Sequence, residues 1–184
     1  MAMSSRVIEQ AIAARSAATV LRRLRRIDKD DLLAAMGIGL RKGVDEILAA
    51  NGADVDRGRD AGMDEALLDR LTLTPERIEG MAVGLEGVAH LDDSVGEVVR
   101  GWHTPLGVKV EQVRVPIGVI GIIYEARPNV TSDAAGICLK SGNACLLRGS
   151  SSALESNRAV IAAMRSRLPE EIREAVQLLS LIHI

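Results

Sequence analysis

The sequence predicts an α/β fold in which amino-terminal helices lead into a β-hairpin and then into the alternating strands and helices of a doubly wound parallel sheet. Three observations predict it. Apolar residues recur at three- and four-residue spacing through residues 4–89; a stretch rich in β-branched residues and broken by glycine and proline runs from Gly96 to Val115; and apolar runs at 115–123, at 144–148 and from 175 alternate with helical segments.

The segment Ser4 to Arg26 carries Val7, Ala11, Ala14, Ala18 and Leu21 with arginines between them, the spacing of an amphipathic helix. Asp28 to Ala50 repeats the pattern, and Asn51-Gly52 predicts its left-handed stop. Glu65 to Leu71 makes a short third helix. Thr74-Pro75-Glu76 then sets a capping hydroxyl, a proline at the first helical position and an acid in the first turn, so a fourth helix runs from Pro75 to about Ala89. Gly101, Thr104-Pro105 and Gly107 punctuate Gly96 to Val115 as a hairpin. The run Val115 to Ile123 has little room for a polar face, and such a strand is expected to be buried on both sides in a parallel sheet. Thr131 to Ser141 reads as a helix closed by Gly142-Asn143, Ala144 to Arg148 as a strand, Ser151 to Leu168 as a helix, and Ala175 onward as a third strand.

With 47% hydrophobic residues the 184-residue chain can bury a sizeable core, but aromatics are 1% and Phe is absent, so that core must be built from Ala, Val, Ile, Leu and Met. Twenty-three Lys and Arg against 25 Asp and Glu leave a net charge of −2, which offers no overall attraction for nucleic acid or an anionic membrane. No apolar stretch reaches the roughly eighteen residues of a membrane span, and MAMSSRVIEQ has no signal core, so a cytoplasmic location is expected. Cys138 and Cys145 stand seven apart without a CxxC or a Cys/His cluster, which speaks against a disulfide framework or a zinc site; reduced, buried thiols with raised pKa are expected. His90 and His103 have no partner at metal or triad spacing, and no metal is expected. Arg22 to Arg26 reads as a solvated helix end whose cations suit the helix carboxyl terminus.

In a doubly wound sheet, ligands bind beyond the carboxyl ends of the strands. Two segments take that place, Tyr124 to Asn129 and Arg148 to Ser152. The second combines a guanidinium, a glycine that permits close approach, hydroxyl donors and a helix start, which suits a phosphate-bearing nucleotide. The same serines can also serve only as helix caps, and neither GxGxxG nor a P-loop is present.

The run VPIGVIGIIYEARPNVTSDAAGICLKSGNACLLRG, with RLTLTPERIEGMA upstream, resembles the glutamate-5-semialdehyde dehydrogenase (gamma-glutamyl phosphate reductase) family, a branch of the aldehyde dehydrogenase superfamily. The resemblance covers most of residues 12–178, and EARPNVT at 125–131 distinguishes the branch. It implies an aldehyde dehydrogenase-like fold: a helical part of the cofactor domain at 1–95, a hairpin of oligomerisation strands at 96–115, a partial NADPH-binding Rossmann-like domain at 116–178, and a tail at 179–184 unlike the family. It also implies NADPH-dependent reduction of L-glutamate 5-phosphate to L-glutamate 5-semialdehyde and phosphate, in proline biosynthesis, through a cysteine thiolate that displaces phosphate and a thioester that accepts hydride.

By position in the family pattern, Arg148 matches a basic residue near the adenosine ribose. Gly149, Ser150 and Ser151 replace the usual acid and leave room for a 2′-phosphate, hence NADPH. Asn129 is a candidate oxyanion donor, although it follows a proline where the superfamily has Asn before it, and Arg127 could meet the substrate's phosphate or carboxylate or simply tie down its loop. The family's nucleophilic cysteine falls beyond residue 184, and neither Cys138 nor Cys145 occupies its motif. The full-length enzyme is expected to be a homo-oligomer and this polypeptide to be inactive alone. The alternatives are another aldehyde dehydrogenase relative, whose ordinary Asn-x-Pro and Lys-Pro-x-Glu segments are absent, and a non-catalytic nucleotide-binding or interaction module.

Overall fold

The computed structural model describes residues 2–180; His183 and most of the expected tail lie outside them. Helix α1 (Ala2–Leu21) buries Ala14, Ala18 and Leu21, as the spacing predicts, and Ala17 besides. The expected single helix over 28–50 is instead two, α2 (Arg26–Lys42) and α3 (Val44–Asp60), which meet at Gly43. The break lets both helices pack on the same later helix. Asn51-Gly52 is no stop, because the Asn51 side chain is spent on distant backbone groups and the residue stays inside α3.

Helix α4 (Glu65–Leu71) is capped by Asp64, whose Oδ1 accepts the Ala66 N–H at 2.9 Å. Thr74 caps α5 (Pro75–His90), accepting the Arg77 N–H at 3.2 Å, with Pro75 in the first turn. Strands β1 (Val98–His103) and β2 (Lys109–Val113) form the antiparallel hairpin, turned at Gly107, whose φ of +81° is open to glycine at little cost. Both strands are largely exposed.

Strands β3 (Val119–Ile123), β4 (Ala144–Arg148) and β5 (Val176–Leu178) make a parallel sheet in the order β3-β4-β5. Helix α6 (Pro128–Lys140) connects the first pair; a 3-10 turn (Ser151–Ala153), α7 (Leu154–Arg165) and α8 (Glu170–Arg173) connect the second. Helices α6 and α7 pack against each other and the sheet, α1 packs across β3, β4 and β5, and α2 and α5 form an outer layer on α6 and α7. The core is aliphatic, with Leu33, Met36, Leu40, Leu139, Leu147 and Met164 all inaccessible. The expectation that 115–123 is buried on both sides is overturned: Val115, Ile117 and Ile123 are exposed, Ile123 by 72%, because β3 is an edge of the described sheet. No helix among the described residues is long and apolar enough to cross a membrane.

Two buried lysines tie the layers together. Lys29 of α2 is paired with Asp93, and Lys140 of α6 reaches Asp30 and donates to the Ala89 carbonyl at 2.6 Å. Burial alone would raise the Asp93 carboxyl, but the Lys29 hydrogen bond, the Val95 N–H and the charges of Lys29 and Lys140 outweigh it and hold the group below the usual range. A depressed carboxyl stabilises the fold above its unfolded pKa, about 3.9, and that contribution is lost as pH falls through the folded value. Urea midpoints measured from pH 7 to pH 3 should therefore fall below about pH 4, and Asp93→Asn should lower the neutral-pH midpoint while flattening this acid limb.

Candidate functional site

Strands β3 and β4 end level with each other, Ile123 opposite Arg148, and the Tyr124 N–H donates to the Arg148 carbonyl at 3.0 Å. The segments that follow therefore leave the sheet together and, with Met63 and Leu67, bound a cleft of about 690 Å³. Arg70, Arg127 and Arg148 line it, and none of the three guanidinium groups has an ion-pair or hydrogen-bond partner among the described residues; Glu125 is the one acid in the wall. An unpaired cationic pocket of this size suits an anionic ligand.

Ser150, Ser151 and Ser152 complete the wall. Ser150 Oγ accepts the Ser152 N–H at 3.3 Å and lies 2.8 Å from Ser152 Oγ, so Ser150 caps the 3-10 turn and the capping alternative is realised at this serine. Ser151 is exposed to the cleft. Gly149 faces the other way, where an added Cβ would stand 2.2 Å from Asn157 Nδ2 and 3.0 Å from the Tyr124 ring. Its missing side chain lets β4 press against a buried relay in which Tyr124 OH meets Thr131 Oγ1 at 2.7 Å and Thr131 Oγ1 donates to Asn157 Oδ1 at 2.9 Å. Burial, partly offset by the Thr131 bond, pushes the Tyr124 phenol up to about 12, so it stays protonated at neutral pH. Sequence reasoning missed this relay, for nothing local links residues 26 apart.

Helix α6 starts at Pro128, three residues before the expected Thr131, because proline fits the first helical position. Arg127 thus sits just outside the helix and Asn129 in its first turn, exposed. Asn129 lines a second cleft, of about 390 Å³, together with Thr72, Gly80 and Asp133. Arg70 and Arg127 line both clefts. The expected site residues are therefore divided: Arg148, Ser150 and Ser151 face the larger cleft, Asn129 faces the smaller, and Arg127 stands between. Arg70 and Asp133 were not found from sequence, since Arg70 enters from a distant helix. Burial raises the Asp133 carboxyl.

Neither cysteine lines either cleft. Cys138 of α6 and Cys145 of β4 are both buried free thiols. The interaction of the two thiols and burial hold Cys145 far above the ordinary range, as expected, whereas the same interaction outweighs burial at Cys138 and lowers it, against expectation. No group of His, Cys, Asp and Glu among the described residues is arranged to hold a metal ion.

No protein-family model matches the chain. It is 99% identical over 178 residues to gamma-glutamyl phosphate reductase of Cutibacterium acnes, a match that takes in 97% of this chain and 43% of that protein. The chain thus spans under half the length of the curated relatives it matches. Among solved structures, gamma-glutamyl phosphate reductase of Thermotoga maritima superposes with a TM-score of 0.90 at 42% identity, over 94% of this chain and 42% of that one. A probable aldehyde dehydrogenase of Listeria monocytogenes shares the fold at 13% identity, with a TM-score of 0.67 over 98% of this chain and 37% of that one.

Proposed function

Because the chain belongs to the gamma-glutamyl phosphate reductase family, we propose that it supplies the cofactor shelf for NADPH-dependent reduction of L-glutamate 5-phosphate to L-glutamate 5-semialdehyde and phosphate. The single observation that carries this reading is the cleft beyond β3 and β4 with its three unpaired arginines. Arg148 holds a 2′-phosphate, with Ser150 and Ser151 as hydroxyl donors, in a segment that carries no acid to favour a free ribose hydroxyl. Bound there, the nicotinamide cofactor supplies a hydride. Arg127, shared by both clefts, neutralises the phosphate of the substrate, and Asn129 donates to its developing oxyanion. The exposed hairpin β1–β2 is the subunit contact of a homo-oligomer.

The displacement of phosphate requires an accessible thiolate, and both thiols here are buried. The chain alone should therefore bind NADPH and turn nothing over. Calorimetric titration should find NADPH bound more tightly than NADH, with Arg148→Ala weakening NADPH about tenfold or more and NADH little, as expected for loss of one charge-assisted phosphate contact. Equal affinity for the two cofactors, or indifference to Arg148→Ala, would remove the basis of the assignment. Oxidation of NADPH on addition of glutamate 5-phosphate, abolished by Cys138→Ser or Cys145→Ser, would overturn the expectation that the chain is inactive.

A further inference from the structure

The smaller cleft carries a charge pattern that the cofactor does not use. Five ionic side chains line it, but Asp69 and Arg77 neutralise each other at 2.8 Å, and Arg77 is further engaged by the Thr72 carbonyl at 2.7 Å. Asp133, Arg70 and Arg127 remain, and none of the three has a side-chain partner among the described residues. Asp133 projects from α6 toward α5, where a Cβ on Gly84 would stand 3.6 Å from its Oδ1, so the carboxylate has room beside it. One negative and two positive groups complement a ligand with one cation and two anions. An α-amino acid whose side chain ends in a second anionic group has that pattern, whereas a plain dicarboxylate would set an anion against Asp133.

We propose that this cleft selects the amino-acid head of the substrate, Asp133 receiving the ammonium group and Arg70 the α-carboxylate, with Arg127 at the passage to the larger cleft for the distal anion. The assignment rests on the substrate reading above and adds the residues that recognise its head.

The test is a calorimetric or NMR titration of the 184-residue chain with L-glutamate, glutarate, which lacks the ammonium, and 4-aminobutyrate, which lacks the α-carboxylate. L-Glutamate should bind about tenfold more tightly than either analogue, the loss expected for one charge-assisted contact. Asp133→Asn should bring L-glutamate down to the level of glutarate, and Arg70→Gln should bring it down to that of 4-aminobutyrate. Equal binding of L-glutamate and glutarate to the unaltered chain, or no saturable binding of L-glutamate, overturns the proposal without reliance on any variant. An NADPH titration of the same samples keeps the two readings apart: lost cofactor discrimination with intact amino-acid discrimination defeats the cofactor shelf alone, and the converse defeats the amino-acid site alone.

Discussion

Asn51→Ala should destabilise the chain by about 4 kcal/mol, the sum expected when two or three buried polar groups lose their partners at about 1–3 kcal/mol each. Asn51 is 2% exposed. Its Nδ2 donates to the Leu71 carbonyl at 2.8 Å and to Ser156 Oγ at 3.0 Å, while its Oδ1 accepts the Leu73 N–H at 2.7 Å. One side chain thereby ends α4, starts the approach to α5 and reaches α7. Beside it Asp54 Oδ2 accepts both the N–H and the hydroxyl of Ser156, at 2.7 and 2.6 Å, and so caps α7 from another helix. Urea unfolding followed by circular dichroism measures the loss, and an unchanged denaturant slope would assign it to the folded state. Asn51→Asp, which keeps the acceptor but loses both donors and sets a second buried carboxyl beside Asp54, should cost at least as much. A loss below about 1 kcal/mol would mean that water satisfies these groups.

Gly39→Ala should cost about 3 kcal/mol even though the intrinsic propensity of a helix interior favours alanine by about 1 kcal/mol. A Cβ at Gly39 would stand 2.3 Å from the Ala163 carbonyl oxygen, a backbone atom that can yield only if α2 and α7 move apart. Gly52 of α3 is the control, since a Cβ there meets nothing within 4 Å and alanine should stabilise by about 0.5–1 kcal/mol. Thermal melts of the two variants should shift in opposite directions. A neutral or stabilised Gly39→Ala would show that the two helices separate at little cost.

The elements with their own local chemistry were legible in the sequence. Thr74-Pro75 and the run Glu65 to Leu71 carry their boundaries in cap and turn residues, and the structure places both helices there. Elements decided by distant partners were not. Asn51-Gly52 has the composition of a helix stop, but an asparagine that finds three buried partners gains more by staying inside the helix. Gly43 gives no stronger local signal than Gly37 or Gly39, yet the chain divides there because two helices must reach α7. The apolar run before Tyr124 predicted a strand correctly and its burial incorrectly, since burial depends on what lies beside the strand. At the candidate site the same division holds. Arg148, Ser150 and Ser151 follow from the strand-end rule, and the cleft collects them. Arg70 and Asp133 come from helices far apart in the chain, and only packing brings them to one cavity.

Helix α1 covers β3, β4 and β5, all of which follow it by about a hundred residues or more in the chain. During synthesis at about 5–20 residues per second, the face of Ala14, Ala17, Ala18 and Leu21 is therefore made roughly 5–33 s before the strands that shelter it. Helices α2 and α5 can find each other in that interval, but α1 has to wait. The apolar face of the first helix therefore stays unsheltered in the nascent chain until the strands it covers have been made.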